Sequence, residues 1–297
     1  MKNILIVTGG CGFVGSNLIE YLIKKTSFKI ISLDNYTSGT KKNQFRNTRI
    51  KYLNCHTKDI STVLEKKISK IHSVFHFGEF SRIYQSFIQM DKCIQSNTIG
   101  TNAVFNFCLK NKVKLIYSAT SASLGNKGMD KNLSPYAFTK AKNLELLENL
   151  KKWFNFKYEV IFFYNVYGPR QISKGSMATV VGIFESHFLR KKPLPVVKPG
   201  SQSRRFTHIH DTIKVCFKAW KMNKCRFYSI TNKESYSILK VAKLFGSKIK
   251  LLPPRKGERF ASALTNISLS NKIYRYFGKK RLVDYIEEFV KKNQKKQ

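Results

Sequence analysis

Short runs of consecutive apolar residues alternate with stretches in which apolar positions recur every three or four residues, and this rhythm fills the first half of the chain. "NILIVTG" (3–9), "KIISLDN" (29–35), "HSVFHFG" (72–78), "VKLIYSAT" (113–120) and "YEVIFFYNVYG" (158–168) are continuous apolar runs of strand length. Such runs suit strands covered on both faces. Between them, "VGSNLIEYLIKK" (14–25), a stretch from about Ser96 to Lys110, and "YAFTKAKNLELLENLKKWF" (136–154) have helical spacing. The pattern predicts an α/β fold, a Rossmann-like doubly wound parallel sheet with helices on both faces. Past Gly168 the rhythm breaks into a loop, a helix and the proline-rich, basic "RKKPLPVVKPGSQSRR", while "FYSIT" (227–231) is expected to return to the sheet. The chain therefore divides into residues 1–165 plus 206–231 as the sheet domain, and 166–205 plus 232–297 as a smaller, discontinuous C-terminal domain on the substrate side.

The turn after the first strand is "TGGCGFVGSNL" (8–18), with Gly9, Gly10, Gly12 and Gly15 placed between strand and helix. Glycines there let the backbone turn tightly and approach a pyrophosphate, whose charge then meets the helix N-terminus. Asp34 closes the second strand 19 residues after Gly15. A carboxylate at that distance accepts hydrogen bonds from ribose hydroxyls and repels a 2′-phosphate, which favours NAD over NADP.

A second constellation is "SPYAFTK" (134–140), which places Tyr136 and Lys140 four residues apart on one helix face. A phenol titrates near pH ~10, but a fixed positive charge favours its phenolate and brings it closer to working pH. Sixteen positions upstream, Thr120 ends a strand where its hydroxyl could meet a substrate oxygen. Tyr136, Lys140 and Thr120 are thus the candidate catalytic residues.

Charge and cysteines alter this picture little. Lys and Arg outnumber Asp and Glu by 55 to 17, a formal charge of +38. The positive residues are scattered, so the excess is read either as compositional or as a field that draws in anionic substrates, and nucleic acid is not expected as a partner. A dinucleotide- or RNA-binding protein without catalysis is the rival of a different class, and the Tyr/Lys pair speaks against it. The six cysteines form no CxxC pair, and His208 and His210 in "FTHIHD" have no evident third ligand, so no metal site is expected. With no membrane-length apolar segment or signal peptide evident, a cytoplasmic protein with reduced thiols is expected.

These motifs together resemble the extended short-chain dehydrogenase/reductases, specifically the NAD-dependent sugar epimerase/dehydratase family, most closely the UDP-glucose 4-epimerases. The resemblance spans nearly the whole chain. It implies NAD as cofactor, held by Gly9, Gly12, Phe13, Val14 and Gly15, by Asp34 and Asn35 of "LDNYTSG", and by Asp59 and Ile60 of "KDI" at the adenine. Phe77, Gly78 and Ser81 of "VFHFGEFS", Asn97 of "SNTIGTN", Tyr136, Lys140 and Tyr164 would complete the cofactor site. A nucleotide sugar, a UDP-hexose by this resemblance, would meet Thr120 and Asn165 of "FYNVYGPR". Its pyrophosphate would meet Arg205 of "RRFTHIHD" and Arg255, beside Glu258, of "PRKGER". The implied reaction is epimerisation at C4 by transient oxidation, in a homodimer built on the helices near 96–110 and 136–154.

Three features depart from the family pattern. The loop from Thr120 to Tyr136 is short, and Gly78 and Glu79 stand where relatives often have two alanines. Glu79 either contacts substrate as a second acid/base or caps local backbone groups. Lys174 in "ISKGSMA" matches the catalytic lysine of ADP-heptose 6-epimerases, the alternative within the class, or is a solvated loop lysine. Thr120 is followed by Ser121 and Ala122 rather than the Asp-Glu pair of 4,6-dehydratases, which disfavours water loss.

Overall fold

The computed structural model describes residues 2–257 and 273–294. Eight parallel strands form the central sheet: β1 (Ile4–Thr8), β2 (Lys29–Asp34), β3 (Ile50–Asn54), β4 (Ile71–His76), β5 (Lys114–Thr120), β6 (Tyr158–Phe163), then Phe227–Thr231 and Ile273–Phe277. Starting from the last of these, Phe227–Thr231 lies next, followed by β6, β5, β4, β1, β2 and β3. The order reverses between β1 and β4, and in open sheets of this kind the crevice at such a switch point is where ligands bind.

The continuous apolar runs became central strands because both faces are covered. Val104, Phe107, Leu147 and Leu150 pack with Leu115 and Val160 on one face. On the other, Leu18, Leu22, Ile213 and Trp220 pack with Leu5, Val7 and Ile161. Each such side chain contributes about 1.5–3 kcal/mol on burial. β3 escapes the apolar pattern because "IKYLN" is an edge strand and keeps polar residues on its exposed side. A third core, around Phe184, Phe188, Phe206, Phe245 and Ile286, belongs to the segments past β6.

Two expectations change. Ile273–Phe277, assigned by sequence to the smaller domain, pairs in parallel with Phe227–Thr231 at the sheet edge. The helix expected from Ser96 to Lys110 is interrupted by a π-helical turn, Gln95–Gly100, before Thr101–Lys110. Among the described residues no helix is long and apolar enough to cross a membrane, and no group of three or more His, Cys, Asp or Glu could hold a metal ion.

The helix that carries the Tyr/Lys pair is bounded by local chemistry. Ser134 is its N-cap, with Oγ accepting from Ala137 N at 3.1 Å, and Pro135 is its first residue. Such a cap contributes about 1 kcal/mol, and proline suits a position whose N–H has no helical partner. Asn155, in the left-handed conformation at φ 50°, ends the helix at Phe154.

Candidate active site

A cavity of about 870 Å³ opens at the carboxyl ends of the central strands. Gly9, Gly12, Phe13, Val14 and Gly15 form one end, Arg204 and Arg255 lie on its wall, and Thr120, Tyr136 and Lys140 line it as well.

The glycine end is built for backbone approach. Gly9 has φ +67°, and a Cβ on Gly15 would stand 2.1 Å from Gly9 O, so no side chain fits there. Gly12 is the N-cap of the helix Phe13–Lys25, and no side chain caps this N-terminus. Its leading N–H groups are therefore available to a phosphate. Asp34, buried at the end of β2, accepts from Cys11 N and Tyr36 N, each at 2.8 Å. Burial pushes its carboxyl pKa up, while these bonds oppose the shift. A glycine cradle, an uncapped helix and a carboxylate placed for a ribose together fit a dinucleotide. Asp34→Ala should weaken NAD binding by about 10- to 100-fold, the worth of hydrogen bonds to a charged group. Fluorescence titration with NADH would measure it, and unchanged affinity would remove Asp34 from the ribose role.

Tyr136 and Lys140 are buried at 8% and 4% exposure, and both line the cavity. Lys140 Nζ donates to Ser118 O at 2.5 Å and lies 4.6 Å above the Tyr117 ring. Thr120 Oγ1 accepts from Ala122 N at 3.2 Å, which orients the hydroxyl at the end of β5. Asn35, Phe77, Gly78, Ser81, Tyr164 and Asn165 also line the cavity.

Several sequence expectations are placed elsewhere. Asn97 is fully buried in the π-helical turn, accepting from Phe80 N at 2.7 Å and donating to Phe80 O at 3.0 Å. It clamps the segment that carries Glu79 and Ser81 and is not among the lining residues. Asp59 and Ile60 are also absent from the lining, because the 3₁₀ turn Thr57–Asp59 points Asp59 to solvent and Ile60 into the core. His56 and Thr57 take that part of the wall.

Arg205 is replaced on the wall by Arg204. The two are consecutive in the strand Ser203–Arg205, where neighbouring side chains leave opposite faces. Arg205 instead offers its carbonyl to Asn165 Nδ2 at 2.9 Å. Lys174 is exposed and is not a lining residue. Glu258 lies outside the described residues.

Glu79 lines the cavity as well. Its side chain is 2% exposed and ion-paired with Lys140, not turned to local backbone groups. Arg82, unremarked in the sequence, lines the cavity and donates twice to Met177 O, at 3.0 and 2.7 Å. It thereby ties the 172–178 loop to the wall. Only its proximity to Glu79 in "GEFSR" hinted at a role.

Two buried histidines bear on acid stability. Burial lowers the pKa of His76 to about 4 and that of His208 to about 3, so both are neutral in the folded chain. Unfolded histidine binds a proton near pH ~6.5. Below that pH the unfolded state therefore holds more protons, and stability falls as pH drops. At pH 5 each histidine should cost about 2 kcal/mol. Thermal melts from pH 7 to pH 5 should show this loss, reduced in His208→Gln.

Comparison with known proteins agrees with this geometry. Residues 5–230 match the model of the NAD dependent epimerase/dehydratase family. A putative UDP-glucose 4-epimerase of Methanocaldococcus jannaschii is 27% identical over 231 residues, 73% of this chain and 74% of that protein. An ADP-L-glycero-D-manno-heptose-6-epimerase of Alkalilimnicola ehrlichii is 25% identical over 244 residues, 77% of this chain and 74% of the other. The crystal structure of the UDP-glucose 4-epimerase of Thermotoga maritima with UDP-glucose superimposes with a TM-score of 0.85 at 24% identity, covering 99% of both chains. Glycine cradle, buried carboxylate at the end of β2 and buried Tyr/Lys pair thus coincide with a match over most of the sequence, and the chain belongs to the NAD dependent epimerase/dehydratase family.

Proposed function

We propose that this protein is an NAD-dependent nucleotide-sugar epimerase that inverts C4 of a UDP-hexose. The observation that carries the reading is the shared cavity: Tyr136, Lys140 and Thr120 line the same space as the glycine cradle and as Arg204 and Arg255. Bound NAD supplies the acceptor for a hydride that is later returned to the sugar.

The chain's own residues do the rest. Gly9, Gly12 and Gly15 hold the cofactor pyrophosphate and Asp34 its ribose. Tyr136 takes the proton of the sugar hydroxyl and gives it back, Lys140 favours the phenolate, and Thr120 orients the oxygen. Inversion needs the hexose to turn while its anchor stays fixed, and Arg204 and Arg255 suit that anchor because guanidinium groups grip phosphate through several N–H donors.

Dehydration is disfavoured because Ser121 and Ala122, not carboxylates, follow Thr120. The 6-epimerase alternative loses support because Lys174 is exposed and off the cavity wall. The rival without catalysis gives no reason to bury a Tyr/Lys pair beside the cofactor cradle. Exposed Ile88, Met90, Ile99 and Phe138, on or near the helices expected to form a dimer, favour a homodimer.

Incubation of the purified protein with UDP- and ADP-sugars, followed by proton NMR of the epimers, tests this directly. A UDP-hexose and its C4 epimer should reach equilibrium. Turnover confined to ADP-heptose, or salt-sensitive RNA binding with no turnover, would replace the reading.

A further inference from the structure

Glu79 is a carboxylate withdrawn from water at the edge of the proposed reaction centre. Four donors converge on it: Lys140 Nζ at Oε2, and Thr101 Oγ1 at 3.0 Å, Tyr117 OH at 3.0 Å and Asn143 Nδ2 at 3.4 Å, all three at Oε1. The chain of bonds continues behind it. His76 Nε2 lies 3.0 Å from Thr101 Oγ1, and His76 Nδ1 lies 2.7 Å from Thr8 Oγ1. Thr8 Oγ1 in turn accepts from Phe77 N at 3.1 Å and Gly78 N at 3.0 Å.

A threonine hydroxyl has one proton. If Thr101 gives it to Glu79, His76 Nε2 must donate to Thr101, and Nδ1 must accept from Thr8. Every group then has one consistent role, and the chain ends on a carboxylate facing an ammonium. Buried charges persist only when paired and hydrogen-bonded in this way.

We propose that Glu79 is a positioning residue for Lys140, its carboxylate fixing the ammonium against β5 and keeping it charged beside Tyr136. This rests on the epimerase reading for its catalytic consequence, not for the pair itself. Burial lowers the pKa of Lys140, and Glu79 is the main influence raising it. The other titratable groups around the pair offer no substitute anion at neutral pH. His76 on β4 is neutral, the Tyr117 and Cys93 pKa values are raised by burial, and Arg82, which interacts with Tyr136, is itself a cation. Without the carboxylate, Lys140 should lose its proton at lower pH, and the phenolate of Tyr136 should lose its charged neighbour.

The test follows the lysine itself. In protein labelled with ¹³C-lysine, the Lys140 ε-methylene signal is assigned by its loss in Lys140→Met. In Glu79→Gln its titration midpoint should fall by at least about one pH unit, and an unchanged midpoint would overturn the proposal. Should Glu79→Gln not fold, denaturant midpoints decide: Lys140→Met leaves a buried carboxylate alone, and Glu79→Gln/Lys140→Met should recover most of the loss. No recovery would equally overturn it. With a UDP-hexose, Glu79→Gln should lower kcat about tenfold or more at pH 7 with KM within a few-fold, and Glu79→Asp should restore part of the rate. A raised KM with unchanged kcat would count against positioning. If wild-type protein turned over no sugar, the epimerase reading would fail while the lysine titration still decided the pair.

Discussion

Tyr136→Phe should lower turnover of the nucleotide sugar by about 10²–10⁴-fold, the usual worth of a general acid/base, and leave NAD bound with near-normal affinity. Phenylalanine keeps the ring in its buried place, 8% exposed at the second position of its helix, and removes only the hydroxyl. The helix cap at Ser134 and the bonds of Lys140 to Ser118 O and Glu79 remain. Loss of rate with intact folding and cofactor binding would isolate the proton transfer. Rates measured beside NADH fluorescence titrations separate the two effects, and near-normal turnover would take Tyr136 out of its assigned role.

Arg204→Ala should raise KM for the nucleotide sugar by about 10- to 100-fold, while Arg205→Ala should change it little. A charge-assisted bond to phosphate is worth about 1.5–3 kcal/mol, and only one of the two neighbours lines the cavity. Arg204 is on the cavity wall; Arg205 is off it, with its backbone carbonyl bonded to Asn165. Losing the anchor should also lower kcat, because an ill-held hexose presents its hydroxyl to Tyr136 less often. Steady-state kinetics of the two variants make the comparison, and a larger defect in Arg205→Ala would reverse the assignment.

The strand–turn–helix at 4–25, the carboxylate at 34 and the Tyr/Lys pair at 136 and 140 were legible because each is a local pattern. Glycine spacing, the end of an apolar run and an i, i+4 interval need no knowledge of distant chain. The residues off the cavity wall depended on something else. Asn97 looked like a cofactor ligand, but its partner Phe80 is 17 positions away and is brought to it by a π-helical turn. Asp59 and Ile60 follow a strand whose final turn rotates them off the cavity. The pairing of Ile273–Phe277 with the sheet edge is likewise a long-range event, invisible in a short run of aromatic and basic residues.

Sequence alone thus determined the parallel sheet, its nucleotide cradle and the placing of a phenol and an ammonium on one helix face, since all three are written in periodicities and spacings of a few residues. Tertiary structure alone decided which arginine faces the cavity, that Arg82 braces the 172–178 loop, and that Glu79 belongs to Lys140 across 61 positions of chain. The physical reason is that direction and burial of a side chain are settled by whichever distant segment packs against it, and a charge kept from water is defined by the partner the fold delivers.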